Sequence, residues 1–409
     1  MTMHSLKTPQ PDQVSAATGV PLWIGEALAV RARRVAMIAG EHAEAVDREA
    51  RFPIEAITAA KAEGLMGVLA PAALGGEGAS FADVAEVCYA LGQACASTAM
   101  IYAMHQVKAA CVIRHADASP WHQDFIRQLV AEQLLLASST TEGKAGGDVR
   151  RSAAAVTEDA GRIRLDRDAS VISYGEQADG LVTTARRDET ATASDQVLLV
   201  LLKADYSLTR SQTWDTLGMR GTCSTGFALK ADADRAQIMP TAYEIIHSQT
   251  MVPAAHLFWS GAWAGIAAAS VERARRFIRK AARSNGGQPP PAAAYLTKAN
   301  TSLRALRALI GAAMADYQAR MDDAEALGEM AFQTRINLLK VDASELAQAT
   351  VLSALRACGL SGYRNDSEAS LGRHLRDVLS APIMINNDRI LANLAASSLM
   401  TETPATLFS

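Results

Sequence analysis

Two threonines, three glycines and an aspartate crowd into residues 138–150, "SSTTEGKAGGDVR". Short hydroxyl side chains at Ser138, Thr140 and Thr141, followed by Gly146 and Gly147, leave room for backbone N–H groups to approach a ligand carrying negative charge. The other reading of this stretch is a loop feeding a strand. Arg356 stands three residues before Gly359 in "LRACGLSGY", where a cation beside a glycine turn suits a phosphate and a surface ion pair serves equally. His256, in "MVPAAHLFWSGAWAGIA", carries an imidazole that titrates near neutrality and could act as a base or a hydrogen-bond donor. The alternative for a histidine on an apolar helix is a bond to a backbone carbonyl. Asp388, in "RDVLSAPIMINNDRIL", is the nearest carboxylate near that loop, although its place at a helix start turns it away from Ile385.

These residues need three kinds of element to bring them together. From Ile24 to about Glu132 the chain is alanine-rich with helical periodicity, interrupted by the Gly- and Pro-dense "EGLMGVLAPAALGGEGAS". Ser80 and Asp83 form a capping pattern that predicts one long apolar helix to about Arg114. Past Gln133, runs such as "RIRLDRDASVISYG" and "QVLLVLLKADYSL" predict an antiparallel β unit ending near Tyr243. Long helical patterns then cover about 250–284, 292–322, 327–357 and 368–400, broken by "SNGGQPPP" and "CGLSGYRNDS". The expected fold class is α+β: an all-helical unit at 1–133, a β-barrel or sandwich at 134–245 and a four-helix bundle at 246–409. Apolar surface left over on the long helices predicts a homo-oligomer, a dimer or a tetramer.

With 409 residues, 49% hydrophobic and 20% charged, and a net charge of -3, the chain lacks the basic excess that nucleic acid binding requires. No apolar run reaches the length of a membrane span, and the first twenty residues lack the apolar core of a secretory signal. The five cysteines show no CxxC pairing, which reads as a reducing cytoplasm and no metal site.

Several of these motifs resemble those of the acyl-CoA dehydrogenase family, over nearly the whole chain. "EGLMGVLAPAALGGEG" looks like its N-terminal glycine-rich loop, and Thr141, Glu142, Ala145, Gly146 and Asp148 match its flavin-side segment. Val171 and Ser173 stand where the family has an aromatic residue and a threonine against the flavin ring. "LGMRGTCSTGFAL" resembles a Leu-Gly-x-Arg block, with Arg220 read as structural. Gly359, Gly362 and Tyr363 match a turn that lies against the FAD pyrophosphate of a neighbouring subunit, with Arg356 where a glutamine often stands. The resemblance implies FAD as cofactor, with Ser138, Thr140, Thr141, Gly146, Gly147, Val171, Ser173, Arg356, Gly359 and Asn387 as its contacts. "ARSNGGQPPPAAAYL" lacks the family's adenine-binding pattern, so FMN or free reduced flavin is the alternative.

The family's reaction needs a glutamate to remove a proton α to a thioester carbonyl. After Arg376-Asp377 that position is Ile385, and at the second place used by a subgroup the chain carries Ala255 beside His256. His256, and less directly Asp388, are then the candidates for the base, while His105 and His374 read as structural. The resemblance implies α,β-dehydrogenation of an acyl thioester, on CoA or an acyl carrier protein, with an electron-transfer flavoprotein as partner. Two alternatives stay open: a monooxygenase fed by a flavin reductase, and a silent flavin- or acyl-binding scaffold.

Overall fold

The computed structural model describes residues 25–117, 119–142 and 148–400. Five helices come first: α1 (Leu28–Glu49), α2 (Ile54–Ala62), α3 (Phe81–Ala94), α4 (Ala96–His115) and α5 (Pro120–Glu132). The start of α3 is the expected capping box: the Asp83 N–H donates to Ser80 Oγ at 3.2 Å and the Ser80 N–H to Asp83 Oδ2 at 2.9 Å. The single long helix predicted beyond it is two. Cys95 is extended (φ -145, ψ 112), so α4 departs in a new direction and is buried along most of its length.

The middle unit holds two sheets. β1 (Leu136–Ser139), β4 (Gly180–Arg186) and β5 (Gln196–Leu202) pair in the order β1-β4-β5; β2 (Thr157–Asp159), β3 (Arg162–Ile172), β6 (Tyr206–Arg210) and β7 (Thr225–Asp234) pair as β2-β3-β7-β6. It is a sandwich, not a closed barrel. Nor is it wholly antiparallel: β1 runs parallel to β4, Leu136 opposite Gly180, because forty residues separate the two strands and carry the chain through the other sheet between them.

Helices return with α6 (Tyr243–Ile246), a π turn (His247–Met251) and α7 (Val252–Ser284), then α8 (Ala293–Arg320), the short α9 (Ala324–Gly328) and α10 (Met330–Tyr363). α10 runs on past its expected end with a kink at Gly359 (φ 55, ψ -137). The predicted fourth helix is split into α11 (Gly372–Val378) and α12 (Asn387–Met400). Ile385 and Asn386 both sit in the left-handed region (φ 58 and 50), which ends helical winding and sets off a loop at 379–386. α7 joins the units: a Cβ on Gly265 would lie 2.4 Å from the Tyr89 carbonyl oxygen of α3, so the two backbones touch. No helix among the described residues is long and apolar enough to cross a membrane.

Burial keeps the core histidines neutral. His105, His115, His122, His247 and His256 are each pushed down to about 4, and His374 well below its usual value, by desolvation first in every case. A base whose folded pKa is depressed contributes stability above its unfolded value near 6.5 and loses it as pH falls toward 4. The midpoint of urea unfolding is therefore expected to fall steeply between pH 6.5 and pH 4.5. A flat profile over that range contradicts the burial of these rings.

Candidate active site

One cavity of about 1390 Å³ opens where the three units meet. On its β side stand Ser138, at the end of β1, Thr140 and Thr141 just beyond it, Val171 and Ser173 around the end of β3, and Thr222 and Ser224 before β7. Their hydroxyls form a relay: Ser173 Oγ lies 2.7 Å from Ser224 Oγ, which lies 2.7 Å from Thr222 Oγ1, which donates to the Met219 carbonyl at 2.9 Å. Ser138 and Thr140 make a second pair at 3.3 Å. Gly146 and Gly147 lie outside the described residues. Glu142 anchors this wall from behind, paired with Arg167 at 2.9 Å with both side chains buried. Gly218 is fixed by close approach, since a Cβ there would meet the Arg376 carbonyl oxygen at 2.1 Å.

The floor is helical. Met100, Met104, Val107 and Lys108 come from α4, and Ala255, His256 and Trp259 from α7. His247 and Met251 come from the π turn, a local widening of the helix that recurs at functional sites. His256 Nδ1 sits 2.8 Å from the Ile336 carbonyl, so this nitrogen carries the proton and donates. With burial pushing the ring down to about 4, His256 is neutral at physiological pH and a weak base. The value departs from the range near 6.5 expected for an ordinary imidazole, and with Nδ1 donating, Nε2 is left as the acceptor nitrogen.

The loop at 379–386 borders the cavity with Ile383, Met384, Ile385 and Asn386. Arg376 Nη1 and Asp377 tie its preceding helix down: Nη1 donates to the Leu217 carbonyl at 2.9 Å and pairs with Asp47, while Asp377 Oδ1 accepts from the Met219 N–H at 2.7 Å. Asn387 does not line the cavity. Its amide is spent inside the protein: Oδ1 accepts from Lys340 Nζ at 2.7 Å, and Nδ2 donates to Ser344 Oγ at 2.9 Å and Glu345 Oε1 at 3.0 Å. Asp388 is exposed and off the cavity wall, so it is not poised as a base. Arg356 and Gly359 lie away from the cavity too; Arg356 is stacked on the Tyr295 ring at 4.3 Å and donates to its hydroxyl. Within one chain neither reaches the site. Arg220 donates to the carbonyls of Asp47 and Thr216, a structural role.

The residues brought together that the motifs did not announce are Lys108, Trp214, His247 and Trp259. Lys108 had a visible signal, as a lone charge in the apolar stretch "HQVKAACVI". The indole N–H of Trp259 is buried without a partner among the described residues, a donor at the cavity wall.

A flavin fits this donor set. Its ring edge alternates carbonyl oxygens with nitrogens, and hydroxyls that both donate and accept, at Thr140, Thr141, Ser173 and Ser224, can match either. Among the described residues no group of three or more His, Cys, Asp or Glu could hold a metal ion.

The model of the acyl-CoA dehydrogenase N-terminal domain matches residues 26–133, and that of the acyl-CoA dehydrogenase C-terminal domain matches 254–385. The L-evernosamine nitrososynthase of a Micromonospora strain is 30% identical over 362 residues, 84% of this chain and 82% of the relative. The amino sugar nitrososynthase DnmZ of Streptomyces peucetius is 25% identical over 348 residues, covering 83% of this chain and 84% of that one. Among solved structures, FMN-bound TdsC from Paenibacillus sp. A11-2 superposes with a TM-score of 0.81 at 18% identity, over 93% of this chain and all of the other, a likeness of fold. Both ends of the chain match the family's own domains, and a relative at that identity spans most of its length: the chain belongs to the acyl-CoA dehydrogenase family of flavoprotein enzymes.

Proposed function

We propose that the protein is a flavin-dependent monooxygenase acting on an amine nitrogen, fed with reduced flavin by a separate flavin reductase. The observation that carries this is the pair of apolar residues where a dehydrogenase of this fold needs its base: Ala255 and Ile385 both line the cavity, and burial holds the neighbouring His256 far below the ordinary imidazole range, a weak base. The two carboxylates on the cavity wall do not replace it. Asp148 lies beside Arg150 at 3.6 Å, and Glu244 is exposed. A positioned base contributes about 10²–10⁴-fold to proton removal, so its absence argues against dehydrogenation of an acyl thioester of CoA or of a carrier protein. Oxygenation needs no such base. With the hydroxyls of Thr140, Thr141, Ser173 and Ser224 as its holders, a reduced flavin would supply the two electrons and two hydrogens that let one atom of dioxygen enter the substrate N–H bond and the other leave as water, the flavin ending oxidised. Met100 and Met104 line the cavity with apolar side chains from α4, which limits the water beside the reacting edge. The names of the two nitrososynthase relatives support nitrogen as the atom oxidised.

FMN is the flavin proposed, since the chain lacks the adenine-binding pattern. A homo-oligomer, dimer or tetramer, is proposed from the exposed Leu352, Leu360 and Tyr363 on α10. Thr141→Ala with Ser173→Ala is expected to weaken FMN binding about tenfold, each hydroxyl contributing about 0.5–1.5 kcal/mol. Fluorescence titration of FMN measures it, and unchanged affinity removes these segments from the flavin site. The reaction itself is tested anaerobically, by mixing the FMN-loaded protein with a series of acyl-CoA thioesters. The flavin is expected to stay oxidised; bleaching by any thioester restores the dehydrogenase reading, with an electron-transfer flavoprotein as its acceptor.

A further inference from the structure

Lys108 is 4% exposed and lines the cavity, yet its ammonium has only the thioether of Met251, 3.5 Å away, as a hydrogen-bond partner among the described residues. No carboxylate pairs with it there. The surrounding groups are otherwise engaged: Tyr243 donates its hydroxyl to the Val149 carbonyl at 3.1 Å, Arg150 lies beside Asp148, and Arg376 is on Asp47. Burial pushes the Lys108 amine down to about 8 and holds His247 neutral, which leaves Lys108 largely protonated at neutral pH and without a competing imidazolium. A buried ammonium lacking an anion is costly, and it stays in a fold when something else supplies the charge. Met100, Met104 and Val107 of α4, Met251 of the π turn and Val252 of α7 line the same cavity with apolar side chains.

We propose that Lys108 is the specificity-determining residue of the cavity, receiving the carboxylate of an amphipathic organic acid whose apolar chain lies along the methionines of α4 and the π turn. One ammonium matches one carboxylate; a doubly charged phosphate would leave a negative charge uncompensated in an apolar surround. The proposal rests on reading this cavity as the substrate site, and not on the reaction that occurs there.

The test is calorimetric titration of the full-length protein, saturated with FMN, with octanoate, 1-octanol and octyl phosphate. Octanoate is expected to bind about tenfold or more tightly than 1-octanol, the worth of a hydrogen bond to a charged group. Lys108→Met should abolish that preference while leaving the affinity for 1-octanol unchanged. Lys108→Gln, similar in length and uncharged, is expected to do the same and guards against a packing effect of methionine. Equal binding of octanoate and 1-octanol by the parent, or a preference that survives both substitutions, overturns the proposal; tighter binding of octyl phosphate than of octanoate overturns the carboxylate assignment. Binding here involves no turnover, so a failure to oxygenate any amine would sink the monooxygenase reading without altering this result.

Discussion

Glu142→Ala is expected to cost about 3–5 kcal/mol of stability, because it leaves the Arg167 guanidinium buried without its counter-charge. Both side chains of this pair are nearly inaccessible, at 4% and 0% exposed, and the carboxylate also accepts from the Ser152 hydroxyl at 2.8 Å and from the N–H groups of Ala153 and Ala154. The loss therefore reaches beyond one contact: the strand-edge segment that carries Thr140 and Thr141 loses its attachment to the sandwich. FMN affinity should fall with stability. Glu142→Leu combined with Arg167→Met removes the charge problem and should recover much of the stability, while flavin binding, which depends on the anchored loop, stays weak. Urea unfolding followed by circular dichroism measures the first effect and fluorescence titration the second. A Glu142→Ala protein within about 1 kcal/mol of the parent would mean that the pair is not buried as described.

Gly265→Val is expected to be at least as damaging, about 4 kcal/mol or more, or to prevent folding. A side chain at 265 would meet the Tyr89 carbonyl oxygen at 2.4 Å and Gly92 Cα at 2.8 Å, and both are backbone atoms that cannot rotate away. Gly92 faces the same seam, its own Cβ position 2.3 Å from the Ala262 carbonyl oxygen. α3 and α7 would have to separate, and α7 carries His256 and Trp259 into the cavity floor. Gly311 on α8 is the control, because a Cβ there meets nothing within 4 Å. Gly311→Ala should gain about 0.5–1 kcal/mol from helix propensity, so a Gly265→Val variant as stable as the parent would deny the close seam.

What could be read in advance follows from which signals are local. The cap at Ser80 and Asp83, the hydroxyl run at 138–141 and the helix, sheet, helix order each depend on neighbouring residues, and each is visible in the letters. The parallel pairing of β1 with β4 joins segments some forty residues apart and leaves no trace in either strand. The direction of Asn387 was not legible because two left-handed residues precede it: once Ile385 and Asn386 break the winding, α12 begins with a phase unrelated to α11, whereas the helix start at Asp388 already turned its carboxylate away. His256 was legible as two alternatives, and what decides between them is the Ile336 carbonyl, eighty residues away. Lys108 is hard to read from the sequence for the opposite reason. A charge on a long helix is ordinarily solvated, and only the packing of α4 against the π turn makes this one buried.

The cavity is proposed to direct reduced flavin toward dioxygen and an amine, and not oxidised flavin toward a thioester. The most direct test supplies the protein with FMN, a flavin reductase and isotope-labelled dioxygen, together with a panel of amino sugars and carboxylate-bearing amines, and follows the products by mass spectrometry. An N-oxygenated product carrying one labelled oxygen atom per oxidation step is expected, formed only when reduced flavin is delivered. That expectation is contradicted if no amine gains label while an acyl-CoA thioester, under the same protein and without dioxygen, is converted to its α,β-unsaturated form with reduction of the flavin.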